Sequence, residues 1–109
     1  MTVRELADRL SLSPLAMPRA EREFSGVYIG DLLSWVMGRA ENDNVWITIM
    51  SNINIVAVAS LADVACILLA EGVTLDPSVR NTAEEKGVNV LTSQKTAYEL
   101  ARELTELDR

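Results

Sequence analysis

Two apolar runs dominate the hydrophobic pattern of the chain, Val45-Trp46-Ile47-Thr48-Ile49-Met50 and Val64-Ala65-Cys66-Ile67-Leu68-Leu69-Ala70. Both are short and uninterrupted, and they end at the turn signals Ser51-Asn52 and Glu71-Gly72. This is the pattern of strands buried on both faces. Between them, Ile53 to Ala62 is long enough for a helix of about three turns, which returns the chain to the start of a parallel neighbour. The pieces predict a βαβ unit. Its helix is apolar almost all round, so a covered position is expected, although Ile55, Val56 and Val58 would also suit a strand.

The flanking segments extend the same alternation. Thr2-Val3-Arg4-Glu5 has capping-box form, and Val3, Leu6, Ala7 and Leu10 then share one face of a helix ending near Ser11. Arg4–Asp8 and Glu5–Arg9 are spaced for surface pairs. Pro14 to Pro18 suits an edge strand or an extended connection, and the charged residues Arg19 to Glu23 are expected to turn outward. Phe24 to Ile29 has strand composition, with Gly26 marking a bulge or a close backbone approach. Gly30-Asp31 ends it, and Asp31 is placed to cap a helix whose stripe is Leu32, Leu33, Val36, Met37 and Ala40. Trp35 lies beside that stripe, as its edge or as an interface residue.

Beyond Gly72, Asp76-Pro77 starts a helix that Lys86-Gly87 stops. Val88 to Leu91 is a further parallel strand. Thr92-Ser93 then stands where it could cap a last helix carrying Ala97, Leu100, Ala101, Leu104 and Leu107. Strands alternating with helices predict a three-layer α/β/α fold with a mostly parallel sheet of four to five strands, in a single domain over residues 1–109.

In such sheets ligands bind beyond the carboxyl ends of the strands. The residues there are Tyr28, Gly30 and Asp31, then Ser51, Asn52 and Asn54, then Glu71 and Gly72, and finally Thr92, Ser93 and Gln94. The set is rich in hydroxyl and amide groups and could hold a phosphate or sugar. The same residue types are also ordinary helix caps, and both readings stand.

Composition narrows the chemistry. A formal charge of −6 opposes phosphate-backbone and anionic-membrane binding. The lone Cys66 sits mid-strand, as a small core hydrophobe in a reducing compartment would. With no histidine, the commonest general base and zinc ligand is missing, and neither a P-loop nor a dinucleotide fingerprint occurs. No metal site, cofactor or enzymatic activity is therefore expected. Glu84, Glu85, Glu99, Glu103 and Glu106 fall on predicted helix surfaces, and Asp63 is suited to turn or helix-end hydrogen bonding. The uncharged stretch Val45 to Ala62 holds too many polar residues, split by a turn, for a membrane span. No secretory signal is visible at the N-terminus, so a cytoplasmic location is expected.

Glu21-Arg22-Glu23-Phe24-Ser25-Gly26-Val27-Tyr28, followed by Gly30-Asp31-Leu32-Leu33-Ser34 and Val36-Met37-Gly38, resembles the signature of the DRTGG domain family. The similarity continues through Trp46 to Ile49, Asn54 to Ala59 and Ala65 to Ile67, nearly the whole chain. Glu21 stands where the family prefers aspartate, Ser25 where it prefers threonine, and Val27 replaces the second glycine of the motif. The resemblance implies a regulatory α/β domain, similar to the N-terminal domain of HPr kinase/phosphorylase but without its P-loop kinase domain. It also implies company: such domains accompany CBS domains in pyrophosphatases that respond to adenine nucleotides, precede the catalytic part of some phosphate acetyltransferases, and stand alone near hydrogenase and signalling genes.

The expectation is a non-catalytic regulatory module that binds a partner protein or an adenine nucleotide at the strand ends. It is expected to form a homodimer through residues such as Tyr28, Trp35 and Met37. Two rivals remain, a small nucleotide-dependent phosphotransfer enzyme using Asp31, Asp63 or Ser51, and a structural adaptor of a redox complex.

Overall fold

The βαβ unit expected at the centre is present in the computed structural model, which describes residues 1–107. Strand β3 (Val45–Thr48) and strand β4 (Cys66–Leu69) are parallel, in register from Val45 opposite Cys66 to Thr48 opposite Leu69, and α3 (Asn54–Ala62) connects them. Around this unit lie α1 (Val3–Arg9), β1 (Ser13–Ala16), β2 (Val27–Ile29), α2 (Leu33–Arg39), α4 (Pro77–Lys86), β5 (Val90–Thr92) and α5 (Ala97–Leu107). The element order is the one the hydrophobic pattern predicts. The five strands run β1-β5-β4-β3-β2, parallel except for β1, which pairs antiparallel with β5.

Because side chains alternate along a strand, the sheet divides the core in two. Trp46, Ile67, Leu69 and Val90 point into a cluster with Val36 of α2, Ile55 and Val56 of α3, and Val79 and Ala83 of α4. Val45, Ile47, Cys66, Leu68 and Leu91 point the other way, against Val3 and Leu6 of α1 and Leu100 and Leu104 of α5. The result is the three-layer α/β/α arrangement. Each fully buried aliphatic side chain contributes about 1.5–3 kcal/mol, so the doubly covered β3 and β4 anchor the domain.

Several local expectations change. The strands are shorter than their apolar runs: Ile49 and Met50 leave the sheet after β3, Phe24 to Gly26 precede β2, and the last strand starts at Val90. Helix α3 is covered on one side only. Ile53 and Leu61 are exposed, because α2, α3 and α4 form a single layer with nothing above it. The pairs Arg4–Asp8 and Glu5–Arg9 give way to others: Arg4 meets Glu21 at 2.6 Å, and Glu5 turns back to the Thr2 amide at 2.9 Å in the predicted capping box.

Arg22 does not turn outward. Its Nη2 donates to the Asp63 carbonyl oxygen at 2.6 Å and to Asp43 Oδ1 at 3.0 Å, and it also pairs with the Asp63 carboxylate. Asp63 is the left-handed C-cap of α3, as its helix-end assignment anticipates. No described helix is long and apolar enough to cross a membrane.

Candidate functional site

The carboxyl ends of β2 and β3 meet at a corner built from Asp31. The expected helix cap is not its role: α2 begins at Leu33, its N-cap position is Leu32, and no side chain caps it. Asp31 Oδ1 instead accepts from the Thr48 hydroxyl at 2.7 Å and from the Ile49 amide at 3.0 Å. The Thr48 hydroxyl in turn accepts from the Met50 amide at 3.2 Å. One acid thus fixes the exit of β3 to the exit of β2 through a single carboxylate oxygen.

Gly30 and Tyr28 complete this end of the sheet. The Gly30 carbonyl accepts from the buried Trp46 Nε1 at 2.9 Å, and the Tyr28 ring lies so close over the glycine that a Cβ there would stand 2.9 Å from Tyr28 Cε2. Asn52 Oδ1 accepts from the Asn54 amide at 2.9 Å, which opens α3 with an Asx turn. Among the described residues the Tyr28 hydroxyl, the Ser51 hydroxyl and the Asn54 side-chain amide take no part in a hydrogen bond. With Asp31 Oδ2 and the Asn52 side-chain NH2, they are polar groups of this end that the fold itself leaves unused.

Thr92 and Ser93 lie apart, at the end of β5, with β4 between them and the first group. They do not cap the last helix. Thr92, nearly buried, donates to the Val73 carbonyl at 2.6 Å, and Ser93 Oγ accepts from the Lys95 amide at 3.1 Å. The start of α5 belongs to Thr96 and Glu99, which form a capping box: the Glu99 amide donates to Thr96 Oγ1 at 3.2 Å, and Thr96 N donates to Glu99 Oε1 at 3.1 Å. A shallow cleft of about 250 Å³ runs past Thr92 to Lys95, with Leu10, Ser11 and Ser13 on its other side. The eight candidate residues therefore form two groups, six over β2 and β3 and two over β5.

Burial pushes the Cys66 thiol up to about 12, so the sulfur is held protonated in the core. Among the described residues no three acidic or thiol groups gather as metal ligands would.

A family model described as the DRTGG domain matches residues 6–107. No curated protein matches the chain. Among solved structures, it is similar to the CBS and DRTGG domains of the regulatory region of Clostridium perfringens pyrophosphatase, determined in complex with the activator diadenosine tetraphosphate. The TM-score is 0.72 at 13% identity, over 93% of this chain and 44% of that one, so this chain spans less than half of its neighbour.

Proposed function

The chain belongs to the DRTGG domain family, and we propose that it serves there as a non-catalytic, cytoplasmic regulatory module that self-associates and takes an adenine nucleotide at the ends of β2 and β3. The observation that carries this reading is the division of labour at that corner. Asp31 Oδ1 holds Thr48 and Ile49 and so ties the strand exits together, while the Tyr28 hydroxyl, Ser51 and Asn54 make no side-chain hydrogen bond within the fold and remain for recognition. An aromatic ring with a hydroxyl at the end of β2, and a hydroxyl and an amide after β3, are groups that suit a base and a sugar. The neighbouring fold, crystallised with an adenine dinucleotide activator in a regulatory region, supports the same class of ligand.

Binding is tested by isothermal titration with AMP, ADP, ATP and diadenosine tetraphosphate, on the native chain and on Tyr28→Ala and Asn54→Ala. Binding that both substitutions weaken by tenfold or more supports the site. Unchanged affinity in both variants places the ligand elsewhere. Capture of a stable protein partner by a chain that binds no nucleotide would favour the adaptor reading. The exposed flank formed by β2 and α2 is what gives that second reading substance.

A further inference from the structure

The two edges of the sheet are unlike. Strand β1 carries Pro14 and a register shift between Pro14 and Ala16, the usual devices that stop an edge from recruiting another strand. Strand β2 carries neither, nor any charged residue. Its hydrogen bonds to β3 run through alternate residues, since Gly26 O accepts from the Val45 amide and the Gly30 amide donates to Ile47 O. By the alternation of a parallel ladder, the N–H and C=O groups of Val27 and Ile29 point away from the sheet.

The side chains around that edge are apolar. Val27 and Ile29 share the face of Val45 and Ile47, which α1 and α5 cover farther in, yet they are 41% and 51% exposed. On the opposite layer, Leu33, Val36 and Ala40 turn α2 toward the core. Leu32, Trp35 and Arg39 recur on one flank of the helix. A right-handed β2-α2-β3 crossover directs that flank outward over the β2 edge rather than toward α3. Leu32 and Trp35 are more than half exposed, and Arg39 lies over the Trp35 ring at 3.7 Å from its centroid. Val27, where the family motif has its second glycine, lies within β2 and outside the left-handed backbone region, so it adds an apolar branch to the edge.

We propose that a second copy of this chain pairs with the open edge of β2, antiparallel about a two-fold axis through Tyr28, joining the two sheets into one. The inference rests on the self-association in the proposed function and names its surface. Val27 of each copy would then exchange both backbone hydrogen bonds with Ile29 of the other, and Tyr28 would face its counterpart as a non-hydrogen-bonded pair.

The helices fit the same operation. A helix seated over the gap between β2 and β3 lies half a strand spacing inside the edge. Two such helices across a paired edge stand about 9–10 Å apart, the distance of packed helices. The antiparallel arrangement also brings Arg39, at the end of one α2, toward Asp31 at the start of the other, so opposite charges meet. Val27 and Ile29 on one side of the sheet and Leu32 and Trp35 on the other leave exposed apolar side chains on both flanks of the β2 edge, which a second copy paired there would cover.

Sedimentation equilibrium on the native chain, Ile29→Lys and the opposite-edge control Ser13→Lys is the test. The native chain and Ser13→Lys should be dimeric at about 50 μM, and Ile29→Lys should raise the dissociation constant at least tenfold. Tyr28→Cys should also form a disulfide dimer on mild oxidation, because the paired Cα atoms would stand about 4.5 Å apart, while Leu61→Cys on the outer face of α3 should not. A native dimer that survives Ile29→Lys, or that Tyr28→Cys fails to cross-link, overturns the edge and leaves self-association standing. A monomeric native chain overturns both.

Discussion

The Thr48 hydroxyl donates to Asp31 Oδ1 at 2.7 Å, across 17 residues of sequence. That bond closes the β2–β3 corner from inside, since Thr48 is 2% exposed, and the Ile49 amide shares the same oxygen. Asp31→Ala would strip a buried hydroxyl of its acceptor and an amide of its partner. We expect a loss of about 1–3 kcal/mol in urea unfolding. Thr48→Val alone should cost a similar amount, and the double variant less than the sum. Strict additivity would mean that the pair is not coupled.

Gly26 holds the turn before β2 at φ +77°, and a Cβ there would stand 2.9 Å from Asn44 Nδ2. That amide is not able to move freely. It donates to Ser25 O, while Asn44 Oδ1 accepts from the Glu41 amide. Gly26→Ala should therefore cost about 1–3 kcal/mol, combining backbone strain with a displaced hydrogen-bond network. Gly38, in the last half of α2 with open space around it, serves as the contrast. Gly38→Ala should be neutral or stabilising, by up to about 1 kcal/mol.

Cys66 should resist a disulfide reagent in the native state and react on unfolding. Its thiol is raised from 9.0 to about 12 by burial. The folded state thus holds the proton more tightly than the unfolded chain. Its stabilising contribution is fully present below about pH 9 and is lost as pH rises from there toward 12. A melting curve should fall over that alkaline range, and Cys66→Ala should show a shallower fall.

Two glutamates, the exposed Glu5 and the half-buried Glu99, report on the helix starts. The Thr2 backbone amide, followed by the Thr2 side chain, lowers Glu5, and the Thr96 backbone amide, followed by the Thr96 side chain, lowers Glu99. Each carboxylate stabilises the fold above its unfolded value near 4.5, and the contribution disappears as pH falls through the depressed folded value. Carboxyl titration by NMR should place both below the ordinary glutamate value near 4.5. Proline at position 2 or 96, which removes the backbone donor along with the hydroxyl, should return each toward its ordinary value.

The apolar runs made the central βαβ unit and the element order legible, because burial on both faces leaves a compositional mark that surface segments lack. The order of the strands and the antiparallel β1 depend on contacts distant in sequence and left no such mark. Asp31 shows the limit for the site: an aspartate before an apolar stripe looks like a cap, and its competing partner, Thr48, lies in another strand. The start of α5 was readable after all, since Thr96-Ala97-Tyr98-Glu99 repeats the spacing of Thr2-Val3-Arg4-Glu5. Four of the candidate residues, Asp31, Asn52, Thr92 and Ser93, use their side chains to hold the strand ends in place. The chemistry of those residue types is the same whether the partner is a ligand or the chain itself.

A thermal melt of the native chain against AMP, ADP, ATP and diadenosine tetraphosphate tests the regulatory reading most directly. A nucleotide at about a hundred times its dissociation constant should stabilise the fold by roughly 2.7 kcal/mol, a rise of roughly 10 °C or more for a chain of this size. Such a rise, with one nucleotide and diminished in Tyr28→Ala, is the predicted result. Melting temperatures that stay constant with every nucleotide up to millimolar concentration would contradict it.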